Sequence, residues 1–103
     1  MRATVIDLKS KIRRRTEVAF SAIPSGGILV DLKNGPCFEL NQVAASYWEL
    51  SERNGSLTSI CDELLERFTV SRDKLESDVR DLTETLLTAG IIELVPPAID
   101  DAD

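Results

Sequence analysis

Two turn signals cut residues 16–40 into three segments, each too short to hold a core, and this limits what the chain can fold into more than any other feature. Pro24-Ser25-Gly26-Gly27 is a strong turn signal. Asn34-Gly35 reads as a tight hairpin, because both residues tolerate positive φ. Before the first signal, Val18, Phe20 and Ala22 alternate with polar or small residues, as on a half-buried strand. Ile28 to Leu32 reads as a second strand, and Cys37-Phe38-Glu39-Leu40 as a short third one. Pro36 lacks a backbone donor, so it suits a sheet edge or a strand start. A three-stranded meander this small cannot bury a core alone and must lean on helices.

The remaining sequence supplies them. Asn41 is a good N-cap for a helix whose apolar face carries Val43, Ala44, Tyr47, Trp48 and Leu50, and which ends at Asn54-Gly55. Ser56 can cap a second helix bearing Leu57, Ile60, Cys61, Leu64, Leu65 and Phe68. Ser71 can cap a third, where Leu75, Val79, Leu82 and Leu86 make one stripe, with Gly90 as the C′ residue. Ile91, Ile92 and Leu94 then pack back or add a short strand. The order predicts an α+β fold, winged helix-turn-helix-like, with a three-stranded antiparallel sheet followed by three helices, over residues 16–95.

Residues 1–15 read as a basic N-terminal extension: a weak helical pattern of Val5, Leu8 and Ile12 on a background of six basic groups and one acid. This fits a flexible tail, a docking arm or a membrane-surface helix, with the solvated tail favoured. Residues 96–103, with Pro96-Pro97 and Asp100-Asp101-Ala102-Asp103, read as an acidic disordered tail. The extension carries a net +5, so the rest of a chain of net charge −6 carries −11. Such a body repels nucleic-acid phosphates and favours neutral or basic partners.

Other classes are disfavoured on composition. The chain has no histidine, the side chain most used for proton transfer near neutral pH and the usual base for Ser or Cys nucleophiles. Its acidic residues are scattered at helix-surface spacing, so no enzyme, metal or cofactor is expected. Cys37 and Cys61 do not make a disulfide framework, and both read as small apolar side chains in or near the core. No apolar run suits a membrane span or a secretory signal, which makes the expected location cytoplasmic.

Several stretches in this order resemble the PqqD-like family, also called RiPP recognition elements, which serve the ribosomally made, post-translationally modified peptides. They are Gly27-Ile28-Leu29-Val30-Asp31-Leu32, Phe38-Glu39-Leu40-Asn41, Tyr47-Trp48-Glu49-Leu50, and Asp78-Val79 followed by Leu82, Leu86 and Ala89-Gly90-Ile91-Ile92. The resemblance covers residues 16–93 and rests on order and spacing, not on any one motif. One departure is the basic extension, since the family's first strand usually follows only a short tail.

The resemblance implies a standalone peptide chaperone that binds the leader segment of a precursor peptide. The leader adds as a strand along the third strand, in a groove against the third helix, and is presented to a modifying enzyme such as a radical SAM protein or a lasso-type leader peptidase. Open backbone groups on a sheet edge supply affinity in this mode, and side-chain pockets supply sequence choice. Carried over residue by residue, the peptide-binding set is Cys37, Phe38, Glu39 and Leu40 on the strand, with Lys74, Leu75, Asp78, Asp81, Leu82 and Thr85 on the helix. Phe38 and Leu40 share the face expected to be core, and acids lining the groove would favour a leader carrying Lys or Arg. An open edge also permits a homodimer or a domain swap.

Two alternatives share this architecture. A DNA-binding regulator needs a basic or amide-rich recognition helix. The second helix, however, offers Asp62, Glu63 and Glu66 against Arg67, and the third sets Arg72, Lys74 and Arg80 among five acids. The other alternative is a generic docking subunit of a larger enzyme.

Overall fold

In a computed structural model, residues 8–53 and 55–95 of the chain are described. The elements run β1 (Lys11–Arg14), β2 (Val18–Ile23), β3 (Gly26–Asp31), β4 (Cys37–Leu40), α1 (Gln42–Arg53), α2 (Leu57–Arg67), α3 (Arg72–Thr88) and β5 (Ile92–Val95). β2, β3 and β4 form the expected antiparallel meander, with β3 central. Leu29 of β3, opposite Phe38 of β4, is fully buried, so this face of the sheet lies on the helices.

The first turn differs in detail from the sequence reading. Ile23 pairs with Gly26, which leaves Pro24-Ser25 as the tip, and both glycines lie within β3. Gly26 takes φ +149°, and a Cβ there would sit 2.0 Å from the Leu40 carbonyl oxygen. Only a glycine lets β3 pass so close to the end of β4.

The second hairpin also departs from the Asn-Gly expectation. Among the described residues no non-glycine has positive φ; Gly35 alone in this loop does, at +101°. Asn34 works through its side chain instead, donating from Nδ2 to the buried Asp31 carboxylate at 3.0 Å. The backbone N–H groups of Lys33 and Asn34 also donate to Asp31, each at 3.0 Å. These bonds to the charged form, the Asn34 side chain foremost, hold the Asp31 carboxyl below its ordinary range.

The helices begin where the sequence places them. Asn41 Oδ1 accepts from Ala44 N–H at 2.8 Å, and the Ser56 and Ser71 hydroxyls accept from Ser59 and Lys74 N–H. α3 ends in a Schellman motif: Ile91 N–H donates to Leu86 carbonyl at 2.9 Å and Gly90 N–H to Leu87 carbonyl at 3.0 Å, with Gly90 at φ +78°. Tyr47 and Trp48 are core, and the Tyr47 hydroxyl lies 2.7 Å from Thr83 Oγ1, both buried. Burial drives the Tyr47 phenol far up from its usual range, so it is a neutral hydrogen-bonding group.

The reading of residues 1–15 as a solvated, weakly helical tail is corrected for the part described. Lys11–Arg14 is a strand, paired antiparallel with β5 in a second, two-stranded sheet. Ile12 is only 4% exposed, and its N–H donates to Gly55 carbonyl at 2.8 Å. The basic groups are used locally. The Arg14 guanidinium lies 4.2 Å from the Trp48 ring centroid and donates to the Trp48 carbonyl and to Ser51 Oγ, while Arg15 Nη1 donates to the Gly90 carbonyl at 2.7 Å. Residues 1–7 and the acidic tail at 96–103 lie outside the described residues.

The two cysteines also part company. Cys61 is buried as expected, and burial pushes its thiol up. Cys37, expected near the core, is exposed: it shares the outer face of β4 with Glu39, opposite Phe38 and Leu40.

Candidate functional site

β4 is the last strand of its sheet, and among the described residues nothing pairs with its outer edge. Which of its backbone groups face outward follows from the ladder. Asp31 N–H donates to the Pro36 carbonyl at 2.9 Å, which makes Asp31 and Pro36 a hydrogen-bonded pair. Hydrogen-bonded and non-hydrogen-bonded pairs alternate along an antiparallel ladder. Phe38 and Leu40, opposite Leu29 and Gly27, therefore spend their N–H and C=O groups on β3. Those of Cys37 and Glu39 point away from the sheet.

The open edge borders a groove walled by α3. β4 and α3 run in opposite directions along it, since one stretch is lined by Phe38 with Thr85, Thr88 and Ala89, and the other by Leu40 with Lys74 and Asp78. The Leu40 stretch has an apolar floor of Val43, Ala44, Val79 and Leu82, and the core Tyr47 also reaches it. At its rim Lys74 Nζ pairs with Asp78 at 2.8 Å. The Phe38 stretch is lined by the acids Asp81 and Glu84.

Nine of the ten candidate residues fall on this surface. Glu39, Leu40, Lys74, Asp78 and Leu82 line one stretch, Phe38, Asp81 and Thr85 the other, and Cys37 stands exposed at the start of the edge. Leu75 is the exception: at 1% exposure it is packed in the core and lines neither stretch. Phe38 is half-buried against the core and Leu40 buried, as their shared strand face predicts. The sequence reading missed Asn41, Val43, Ala44, Tyr47 and Val79 in one stretch and Glu84, Thr88 and Ala89 in the other. Val43 and Ala44 had the signal of an apolar helix face, but their position in front of the groove depends on how α1 leaves β4.

The basic groups on the helices are largely engaged by the chain's own acids. Arg72 pairs with Asp62 at 3.5 Å and Glu76 at 3.3 Å, and Arg67 with Glu63 at 4.0 Å. Neither helix offers a continuous basic face for phosphates. No cluster of His, Cys, Asp and Glu that could hold a metal ion occurs among the described residues, and no helix there is long and apolar enough to cross a membrane.

A short sheet whose β4 edge lies open beside a helical groove, on a winged helix-turn-helix frame, has the architecture of a peptide-docking domain. The family described as Coenzyme PQQ synthesis protein D (PqqD) matches residues 26–92, and the chain belongs to that family. Two solved structures are similar in fold. One, "TbiB1 in Complex with the TbiA(beta) Leader Peptide", has a TM-score of 0.71 and 25% identity, covering 88% of this chain and 99% of that one. The other, "Lasso peptide synthetase B1 complexed with the leader peptide", has a TM-score of 0.69 and 24% identity, covering 84% of this chain and 99% of that one. No curated protein matches.

Proposed function

We propose that this protein captures the leader segment of a ribosomally made precursor peptide as a strand added to β4, and presents it to a modifying enzyme. The observation that carries the reading is the outward aim of the Cys37 and Glu39 backbone groups beside the α3 groove. A guest strand meets these groups with its own N–H and C=O, and side chains entering the groove select its sequence. Membership in the PqqD family and likeness to TbiB1, solved with a leader peptide, support the same role. In this reading the chain is a cytoplasmic, non-catalytic partner. The chemistry belongs to an associated enzyme, such as a radical SAM protein or a lasso-type leader peptidase.

Titration of the protein into the labelled leader of a precursor encoded beside it, read by fluorescence anisotropy, tests the proposal. Cys37→Pro deletes one outward donor without touching the ladder to β3, and an edge strand tolerates proline. It is expected to weaken leader binding about fivefold or more, on the scale of one lost hydrogen bond, while the domain stays folded. Unchanged affinity in a folded Cys37→Pro protein overturns the docking mode.

A further inference from the structure

The two stretches of the groove differ in charge, and the pleat of a β-strand turns that difference into a sequence rule. A guest paired with β4 places the residues opposite Phe38 and Leu40 on the same sheet face as those side chains. That face is the one against α3, so two guest residues, separated by one that faces solvent, enter the two stretches. The stretch at Leu40 has an apolar floor, and the Lys74 and Asp78 charges at its rim pair with each other. Glu39, which also borders it, is exposed on the opposite face of β4, so this stretch carries less net negative charge than the other. The stretch at Phe38 holds Asp81 and Glu84, neither of which has an ion-pair partner among the described residues, and no basic side chain lines it. Arg15, near the end of α3, is committed to the Gly90 carbonyl and to Glu17 at 3.1 Å.

We infer that the captured peptide carries a Lys or Arg two residues from an apolar side chain, the basic group seated between Asp81 and Glu84 opposite Phe38 and the apolar one over Val43 and Leu82 opposite Leu40. This rests on the strand-addition reading above and adds to it a side-chain code. The methylene stem of Lys or Arg covers the half-buried Phe38 ring while its head reaches the carboxylates, a division of labour that neither a short acid nor an aliphatic residue can perform.

A phage-displayed library of random linear peptides, selected in parallel on the wild type, on Cys37→Pro and on Asp81→Lys/Glu84→Lys, tests the code. The wild type is expected to enrich peptides with a basic and an apolar residue two positions apart. The doubly reversed protein is expected to enrich an acid where the wild type takes a base. In a resynthesised wild-type winner, replacing the basic residue by Ser should cost about two- to fivefold in affinity, the scale of a partly exposed ion pair, and added salt should reduce that difference. Asp81→Asn/Glu84→Gln, which preserves shape, replaces the reversed protein if circular dichroism shows that one misfolded, and should abolish the preference. Enrichment that Cys37→Pro loses but that carries no charge preference overturns the code and leaves strand addition standing. A wild type that enriches nothing beyond Cys37→Pro overturns both.

Discussion

Asp31 is only 1% exposed, yet it closes the β3–β4 hairpin as a carboxylate, accepting from two backbone N–H groups and the Asn34 amide. Its folded pKa is therefore below the unfolded value of about 3.9. A group depressed in the folded state stabilises fully above its unfolded pKa, and the contribution fades as pH falls through the lower folded value. Asp31→Asn cannot accept as an anion and should destabilise the protein at neutral pH. The gap between wild type and Asp31→Asn in urea unfolding should be constant from about pH 7 to pH 5 and shrink below about pH 4. A gap that stays the same into acid would mean that the carboxylate's charge contributes nothing there. The hairpin could be read from Asn34-Gly35, but not its construction: a dipeptide signal reports tolerance of positive φ, whereas here the Asn34 side chain works on a residue three positions back.

At the scale of elements, the sequence is legible where an element has its own period and opaque where it borrows its stability from afar. α1, α2 and α3 carry apolar stripes and capping residues, and each folds as those signals say. Leu75 and Leu82 lie two turns apart on one face of α3, so periodicity could not separate the core residue from the groove residue; what covers each of them does. β1 had no period to read, with one apolar residue among four, and its partner strand lies at the other end of the domain. Its contribution is nevertheless structural. Ile12→Ala should cost about 2–4 kcal/mol, as for other truncations of buried aliphatic side chains, measured as a shift of the urea midpoint at constant slope. Deleting residues 1–15 should cost more, because it also removes the Arg14 contact with Trp48 and leaves the inner edge of β5 unpaired. A truncated protein as stable as the full chain would show that the second sheet is dispensable.

Across the whole molecule, the two sheets divide the work. The β1–β5 sheet ties both ends of the domain to the helices, through Ser10, Ile12 and Arg15 backbone bonds to Leu57, Gly55 and Ile91. The β2–β3–β4 sheet leaves its last edge free beside α3. Amide hydrogen exchange should separate these roles residue by residue, because exchange reports whether each N–H is bonded and what opening frees it. In the unliganded protein the Ile12 and Arg15 amides should exchange on the slow timescale of the helical core. Within β4 protection should alternate: Phe38 and Leu40 slow, bonded to β3, and Glu39 fast, facing out. Captured peptide should slow Glu39 strongly while barely changing Phe38 and Leu40, since their bonds are already made. Uniform protection along β4 in the free protein would mean that the edge is covered in solution, whereas uniform slowing on binding would point to a general stiffening of the domain. An added strand alone protects every second amide, so the alternation distinguishes it from docking through side chains only.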